Sequence, residues 1–153
     1  MSFRNAKYRD ITALCGGIEK AFVPLLKELY PNGYYAYFTG PQWIKDKIDN
    51  EFVYVYELEG KIVGAMIIIK APDEKNLKLH TIYTDEAHRR GGLATIMIKK
   101  AEELHGKGVS WKLETLRSLQ GNTALYEKMG YEMHGEPKVK ENGVTIVYYR
   151  KFT

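Results

Sequence analysis

A junction between a strand and a helix holds the side chains with the clearest chemical meaning. A predicted strand from Leu77 to Thr84 is followed by a loop that ends in Arg89-Arg90-Gly91-Gly92, and helical periodicity begins at Leu93. The first amides of a helix lack intrahelical partners and carry the positive end of its dipole. The glycines would let a ligand approach these amides, and the arginines add positive charge. The pattern predicts a cradle for an anion such as a pyrophosphate, with a pair of solvated surface arginines as the alternative.

Other chemical motifs are incomplete in this sequence. A Walker loop needs a Gly-Lys-Ser/Thr ending, which is missing, and a dinucleotide fingerprint needs three glycines spaced G-x-G-x-x-G. The nearest approach to a hydrolase nucleophile elbow is Gly108-Val109-Ser110-Trp111-Lys112, which lacks the second glycine. The single cysteine, Cys15, excludes an internal disulfide, and the four histidines have no zinc-ligand spacing, so no metal site is predicted.

Length and composition indicate one ordered globular domain over residues 1–153. The hydrophobic fraction is 44% and the charged fraction is 27%, which excludes a disordered chain. The polar start and the lack of a long apolar run predict neither a signal peptide nor a membrane span, so a cytoplasmic protein is expected. Residues 88–140 hold ten Lys/Arg and six Asp/Glu, which accounts for the net charge of +4. This basic half suits a phosphate-bearing ligand and only weakly a nucleic acid, and a solvated surface explains it equally well.

The elements that must position the junction follow helical and strand patterns in mixed order. A helix is predicted from Ile11 to Tyr30 after a cap at Asp10, weakened by Gly16-Gly17 and kinked or broken at Pro24. A short helix follows Gly40-Pro41. The remaining predicted elements are strands at 51–58, 61–70 and 77–84, a helix that begins at Leu93 and stops at Gly106, a strand at 109–115, a helix at 123–129 and a strand at 144–152. This order predicts an α/β or α+β fold with one main sheet.

Four segments resemble, in family order, the GNAT superfamily of acyl-CoA-dependent N-acetyltransferases. The family signature Gln/Arg-x-x-Gly-x-Gly/Ala is matched by Arg89-Arg90-Gly91-Gly92-Leu93-Ala94. The other segments are the predicted hairpin at Glu59-Gly60, the strand from Val109 to Thr115, and Leu125-Tyr126-Glu127-Lys128-Met129-Gly130-Tyr131, which is similar to the family's Leu-Tyr-Glu-Lys-x-Gly-Phe/Tyr segment. The resemblance implies a mixed, mostly antiparallel sheet of about seven strands flanked by about four helices, whose fourth and fifth strands splay to admit acetyl-CoA.

The resemblance also implies which residues hold coenzyme A. Backbone groups of Ile82, Tyr83 and Thr84 would pair with its pantetheine arm as an added strand would. The pyrophosphate would lie on the signature loop and the helix start, at Arg89, Arg90, Gly91, Gly92, Leu93, Ala94 and Thr95. Asn122 lies four residues before Tyr126, whereas many family members carry an asparagine seven residues before the tyrosine, where this chain has Leu119. Asn122 is therefore either a cofactor contact or a helix N-cap.

Three residues are catalytic candidates by the same resemblance. Tyr126 stands where the family places a tyrosine that protonates the departing sulfur; a phenol with a pKa of about 10 can do so, and a packing tyrosine is the alternative. An acceptor amine must also lose a proton before it attacks. His80 matches the position of a histidine implicated in serotonin N-acetyltransferase and is the first candidate for this base. Glu114, twelve residues before Tyr126 as in the ribosomal-protein N-terminal acetyltransferases, is the second, and a water chain is the third.

The predicted function is transfer of an acetyl group from acetyl-CoA to a primary amine, by direct attack in a ternary complex. The acceptor would be a small-molecule amine or a peptide N-terminus, in a pocket whose wall includes Tyr34, Tyr35, Tyr37 and Trp43. No nucleic-acid or membrane partner is predicted, and a homodimer is an open alternative because dimers are common among related proteins. The rival functions are a catalytically silent module of the same fold that senses acyl-CoA, and a small nucleic-acid-binding domain.

Overall fold

The computed structural model describes residues 2–29, 40–89, 91–140 and 143–153. Within them the α-helices are α1 (Ile11–Leu29), α2 (Pro41–Asn50), α3 (Leu93–His105) and α4 (Gln120–Lys128). The strands are β1 (Ser2–Asn5), β2 (Phe52–Leu58), β3 (Lys61–Lys70), β4 (Asn76–Thr84), β5 (Ser110–Leu116), β6 (Glu132–Met133), β7 (Lys138–Val139) and β8 (Thr145–Phe152). Two 3₁₀ turns span Tyr8–Asp10 and Glu86–His88. Among the described helices, none is both long enough and apolar enough to cross a membrane.

One mixed sheet contains the described strands in the order β1-β2-β3-β4-β5-β8-β6, and β7 pairs with β8. β4 and β5 are parallel, whereas β8 is antiparallel to each of its partners. The β4–β5 ladder covers only the first three residues of each strand, from Asn76 and Ser110, although the strands continue to Thr84 and Leu116. The predicted α/β sheet with splayed fourth and fifth strands is therefore confirmed. The described residues form eight strands, against the about seven that the resemblance implies, and β6 and β7 have two residues each, too few for a periodic pattern.

The described chain divides into two compact units. The first unit comprises the described residues of Met1–Ile68 and Thr81–Lys100, and the second comprises those of Ile69–His80 and Ala101–Thr153.

The core of the first unit consists of apolar side chains from α1, β2 and β3. Leu14, Val55 and Ile68 are all 0% exposed. The turn between β2 and β3 consists of Glu59 and Gly60, whose φ angles of 49° and 78° are both positive, as a two-residue hairpin turn favours. The antiparallel pairing of β2 with β3 confirms the predicted hairpin.

Helix α1 continues through Pro24, so of the predicted kink or break the break is wrong. A proline inside a helix removes one hydrogen bond and costs about 3 kcal/mol. Buried side chains on both sides of it, Ile18 at 2% exposure and Leu26 at 5%, hold the helix together, so the expected break does not occur. Asp10, expected as the cap of α1, lies in the preceding 3₁₀ turn, where its carboxylate accepts hydrogen bonds from the Arg4 guanidinium at 2.8 and 3.0 Å.

The core of the second unit is centred on β5 and β8. Trp111 and Tyr149 are each 2% exposed, and the two strands pair antiparallel along their whole length. Lys151 crosses this unit and donates to the Glu102 carboxylate at 2.8 Å and to the Met129 carbonyl at 2.6 Å, which fixes the turn after α4.

Helix α4 begins earlier than its pattern predicted. Its first residue is Gln120 and its N-cap residue is Leu119, so Asn122 is the third residue of the helix. The predicted alternative of Asn122 as an N-cap is wrong. Leu119 offers no side-chain cap, which is why the start of α4 carries no sequence signal.

Candidate functional site

The start of α3, in the first unit, has the geometry of an anion cradle. The first intrahelical bond runs from the Ile96 N–H to the Gly92 carbonyl at 3.0 Å, so the amides of Leu93, Ala94 and Thr95 have no partner within the helix. Gly92 has a φ of 75°, and a Cβ built on it would meet no atom within 4 Å. The space beside Gly92 is therefore open, and these amides lack acceptors within the helix, so they can donate to an anion.

The loop before this cradle adds polar groups. Arg89 is exposed and Gly91 follows the position of Arg90, which lies outside the described residues. The Asp85 side chain accepts a hydrogen bond from the Ala87 N–H at 2.7 Å, which shapes the turn that leads into the loop. Arg89 is thus a positively charged side chain that can contact an anion near the start of α3.

Side chains of β4 alternate between buried and half-exposed positions. Tyr83 is buried, whereas Ile82 and Thr84 are half-exposed, as is His80 further back along the strand. The burial pattern confirms that His80, Ile82 and Thr84 share one strand face. The Asp85 N–H donates to the Val63 carbonyl at 2.7 Å, so the backbone just after β4 is held in place.

A cavity of about 980 Å³ lies in the first unit between α1 and the end of β4. Small residues of α1 form one wall of this cavity. Gly17 leaves the space that the Tyr83 side chain occupies, because a Cβ at Gly17 would stand 2.2 Å from the Tyr83 hydroxyl. Burial raises the pKa of Tyr83, and the nearby charge of Asp85 adds to this effect. From the sequence, Gly16-Gly17 were interpreted only as residues that weaken the helix. Two glycines in a helix interior can also indicate a close packing contact, which was not predicted.

Tyr126 lies in the second unit and is held by two aromatic neighbours. It is 6% exposed, and its ring meets Tyr131 at 6.0 Å between centroids and Tyr149 at 6.4 Å. The Tyr149 hydroxyl in turn donates to the Glu127 carboxylate at 3.2 Å. This packing fixes the position of the Tyr126 ring.

The Tyr126 hydroxyl keeps its proton at physiological pH. Burial raises the pKa of Tyr126 to about 12. Among the described residues, no side chain forms a hydrogen bond with this hydroxyl. It is therefore a protonated donor that can serve a ligand atom.

Glu114 lines a second cavity, of about 430 Å³, in the second unit. Its Oε1 lies 3.5 Å from the Lys78 Nζ, and His134 and Tyr148 form other parts of the wall. No sequence pattern indicated His134 or Tyr148 as site residues. His134 follows β6, which has only two residues, and Tyr148 lies opposite Glu114 only because β8 pairs with β5.

The other predicted site residues are dispersed. Asn122 is exposed on α4, and Trp43 is half-buried on α2 with the Lys47 Nζ 5.3 Å from its ring centroid. Cys15 is half-buried, and burial raises the pKa of its thiol. The predicted acceptor wall at Tyr34, Tyr35 and Tyr37 lies outside the described residues.

Comparison with known proteins identifies the class to which this fold and these residues belong. The sequence matches the acetyltransferase (GNAT) family over residues 20–131. This match covers more than half of the chain, so the chain belongs to the GNAT acetyltransferase family. No curated protein matches the sequence.

Solved structures share the fold at low sequence identity. The protein smu.2055 from Streptococcus mutans UA159 has a TM-score of 0.83 at 18% identity, over 99% of each chain. The ribosomal-protein-alanine N-acetyltransferase from Brucella melitensis has a TM-score of 0.74 at 20% identity, over 100% of each chain. An N-acetyltransferase from Staphylococcus aureus Mu50 has a TM-score of 0.77 at 18% identity, over 99% of this chain and 97% of that one. These likenesses support the fold and not a particular acceptor.

Proposed function

We propose that the protein is an N-acetyltransferase that moves an acetyl group from acetyl-CoA to a primary amine by direct attack in a ternary complex. The observation that most supports this function is the start of α3, where the amides of Leu93, Ala94 and Thr95 have no partner within the helix and a Cβ on Gly92 would meet no described atom within 4 Å. Family membership supports the same cofactor. The proposal treats residues 1–153 as one catalytic domain.

The residues of the first unit fit coenzyme A. The α3 amides and Arg89 would hold its pyrophosphate, because both present positive charge to an anion. Backbone groups of Ile82, Tyr83 and Thr84 would bind the pantetheine arm in the manner of an added strand. When bound, acetyl-CoA supplies an acetyl group activated as a thioester.

Tyr126 is proposed as the group that serves the departing sulfur. With a pKa raised to about 12, its hydroxyl is protonated throughout the physiological range. A thiol has an ordinary pKa of about 8.5, so complete proton transfer from this phenol to sulfur is uphill. Tyr126 therefore stabilises charge on sulfur chiefly as a hydrogen-bond donor, and the proton can be supplied later from solvent.

Glu114 is proposed as the first acceptor of the proton that leaves the amine. It lines a cavity large enough for a small acceptor, and a carboxylate attracts an ammonium group. His80 on the half-exposed face of β4 remains the alternative base. In the balanced step the amine nitrogen forms a bond to the acetyl carbon, the bond from that carbon to sulfur breaks, and nitrogen loses one proton while sulfur gains one.

The cradle is tested by a matched pair of glycine substitutions. Gly92 and Gly106 have φ angles of 75° and 74°, and neither has an atom within 4 Å of a built Cβ. Gly92→Ala and Gly106→Ala should each cost about 1–2 kcal/mol of stability through backbone strain. Only Gly92→Ala should also weaken coenzyme A binding in calorimetry, by about tenfold, because it alters the anion-binding amides. Equal affinities in the two variants would contradict the assignment of the cradle.

The chemical step is tested at Tyr126. Tyr126→Phe should lower turnover of acetyl-CoA with a responsive amine by roughly two to three orders of magnitude, because it removes one hydrogen-bond donor to the departing sulfur, while coenzyme A binding survives. Tyr8→Phe, which changes a tyrosine at 55% exposure, is the control and should leave turnover unchanged. Unchanged turnover in Tyr126→Phe removes this residue from the mechanism.

The rival functions make different predictions. A silent acyl-CoA sensor would bind the coenzyme without acetyl transfer across a broad panel of amines. A nucleic-acid-binding domain would bind a generic oligonucleotide with steep salt dependence and show no thermal shift with acetyl-CoA. The cytoplasmic location and the homodimer remain predictions.

A further inference from the structure

A row of basic side chains crosses the second unit next to the Glu114 cavity. Lys78 of β4 lies in register with Lys112 of β5, and Lys112 lies opposite Arg150 of β8. Residues in register on neighbouring strands share a sheet face, and neighbouring strands lie about 4.8 Å apart. Lys112 is exposed, and it also lines the cavity together with Lys78.

This row places like charges directly beside one another, which destabilises a sheet unless an anion compensates them. Glu114 compensates one of them, since its Oε1 lies 3.5 Å from the Lys78 Nζ. In the described part of the chain, no ion pair uses Lys112 or Arg150, although Glu132 lies opposite Arg150 in the β6–β8 ladder. Lys112 lies between two other cations and has no ion pair among the described residues, so it is well placed to bind an anion.

The cavity beside the row presents charges of both signs. Glu114 and Glu136 contribute carboxylates, and Lys78 and Lys112 contribute ammonium groups. Its volume of about 430 Å³ is near the lower end of the range for small-molecule sites, which favours a small acceptor. Glu114 and Lys112 are two residues apart on one strand face, so a ligand that reaches both must carry opposite charges within about 7 Å.

We propose that the acceptor is a small amine that also carries a carboxylate, with the amine at Glu114 and the carboxylate at Lys112. This inference rests on the proposed acetyltransferase function and adds the class of its acceptor. The carboxylate gives Lys112 an anionic partner, and the amine approaches Glu114 beside Lys78. Lys112 is thus a specificity residue and takes no part in the acetyl transfer itself.

The test compares amines that differ only in the carboxylate. Acetyl-CoA turnover is measured with glycine, β-alanine and 4-aminobutanoate and with the corresponding amides, and triglycine and its amide form a peptide arm. In the unmodified protein at least one of the small acids should have a kcat/KM about tenfold above that of its amide, mainly through KM. Lys112→Gln should reduce this ratio to about one, because the amide gains nothing from the lysine.

Lys107→Gln is the matched control, because it removes an exposed lysine that does not line the cavity. It should keep the acid preference of the unmodified protein. Three outcomes overturn the inference and leave the acetyltransferase function intact. They are turnover of amines with no preference for the small acids, a preference confined to triglycine, and a preference that survives Lys112→Gln.

A second measurement needs no turnover. Titration with N-acetyl-β-alanine and with its amide is followed by the NMR shifts of the backbone amides of residues 112–114. The acid should shift these amides at concentrations about tenfold lower than the amide does. Equal shifts, or none with either compound, overturn the inference. Failure of coenzyme A to bind at all overturns the proposed function instead.

Discussion

Two adjacent glycines in α1 allow packing around Tyr83 to be tested with an internal control. A Cβ at Gly17 would stand 2.2 Å from the Tyr83 hydroxyl and 2.4 Å from its Cζ, whereas a Cβ at Gly16 would meet nothing within 4 Å. Gly17→Ala should therefore destabilise the protein, and Gly16→Ala should stabilise it. Both changes replace the same residue type in the interior of the same helix.

The magnitudes follow from two opposing effects. Alanine is favoured over glycine in a helix interior by about 1 kcal/mol, and this applies at both positions. Overpacking costs about 1–3 kcal/mol, and at Gly17 it falls on a ring that is only 8% exposed and must move by more than 1 Å. The 2.2 Å contact puts the cost at Gly17 toward the upper end of that range, at about 2–3 kcal/mol. Gly17→Ala should therefore lower the free energy of unfolding by about 1–2 kcal/mol, and Gly16→Ala should raise it by about 0.5–1 kcal/mol.

Urea denaturation monitored by circular dichroism measures both effects. In a Tyr83→Leu background the clash disappears, so Gly17→Ala should become neutral or stabilising there. Equal stability of the two alanine variants in the native background, or no coupling between Gly17 and Tyr83, refutes the packing argument.

Two further predictions concern pH. Asp10→Asn should cost about 2 kcal/mol at pH 7, because it removes a charge-assisted partner of Arg4. Hydrogen bonds from Arg4 hold the pKa of Asp10 below 3.8. The contribution of Asp10 to the free energy of unfolding is therefore full above that pH and is lost in stronger acid. Urea denaturation at pH 7 and pH 3 should show a smaller loss of stability on acidification in the variant than in the unmodified protein. At the alkaline end, burial raises the pKa of Tyr126 from 10.0 to about 12, so its contribution is full below pH 10 and declines as pH rises toward 12. Tyr126→Phe should flatten this decline in stability measured at pH 9 and pH 11, and parallel profiles would contradict the burial of the phenol.

Local patterns were sufficient to predict most elements. Strand β3 occupies the predicted range Lys61–Lys70. Its start was predictable because Glu59-Gly60 favours a hairpin turn and the apolar run follows directly. Helix α3 likewise ends at His105, directly before the predicted stop at Gly106, since Gly106 adopts the positive φ of a helix terminus. Elements without such signals were missed or shifted, namely β6, β7 and the start of α4.

The candidate site was predictable only in part. The anion cradle follows from the order of Arg89, Gly92 and Leu93, because the amides at a helix start are unpaired whatever the rest of the fold does. The surroundings of Glu114 were not predictable, because Lys78 and His134 approach it from distant parts of the chain. The pairing register of three strands decides which charges meet, and no local pattern encodes that register.

By itself, then, the sequence determined the identity of most helices and strands, the hairpin turn and the anion-binding helix start, because each depends on residues within a few positions of one another. Only the tertiary structure decided that α1 continues through Pro24, that Gly17 receives the Tyr83 ring, that Tyr126 is buried, and that Lys112 lies between two other cations. Burial and strand register depend on contacts between residues far apart in the chain, and these contacts exist only after the chain has folded.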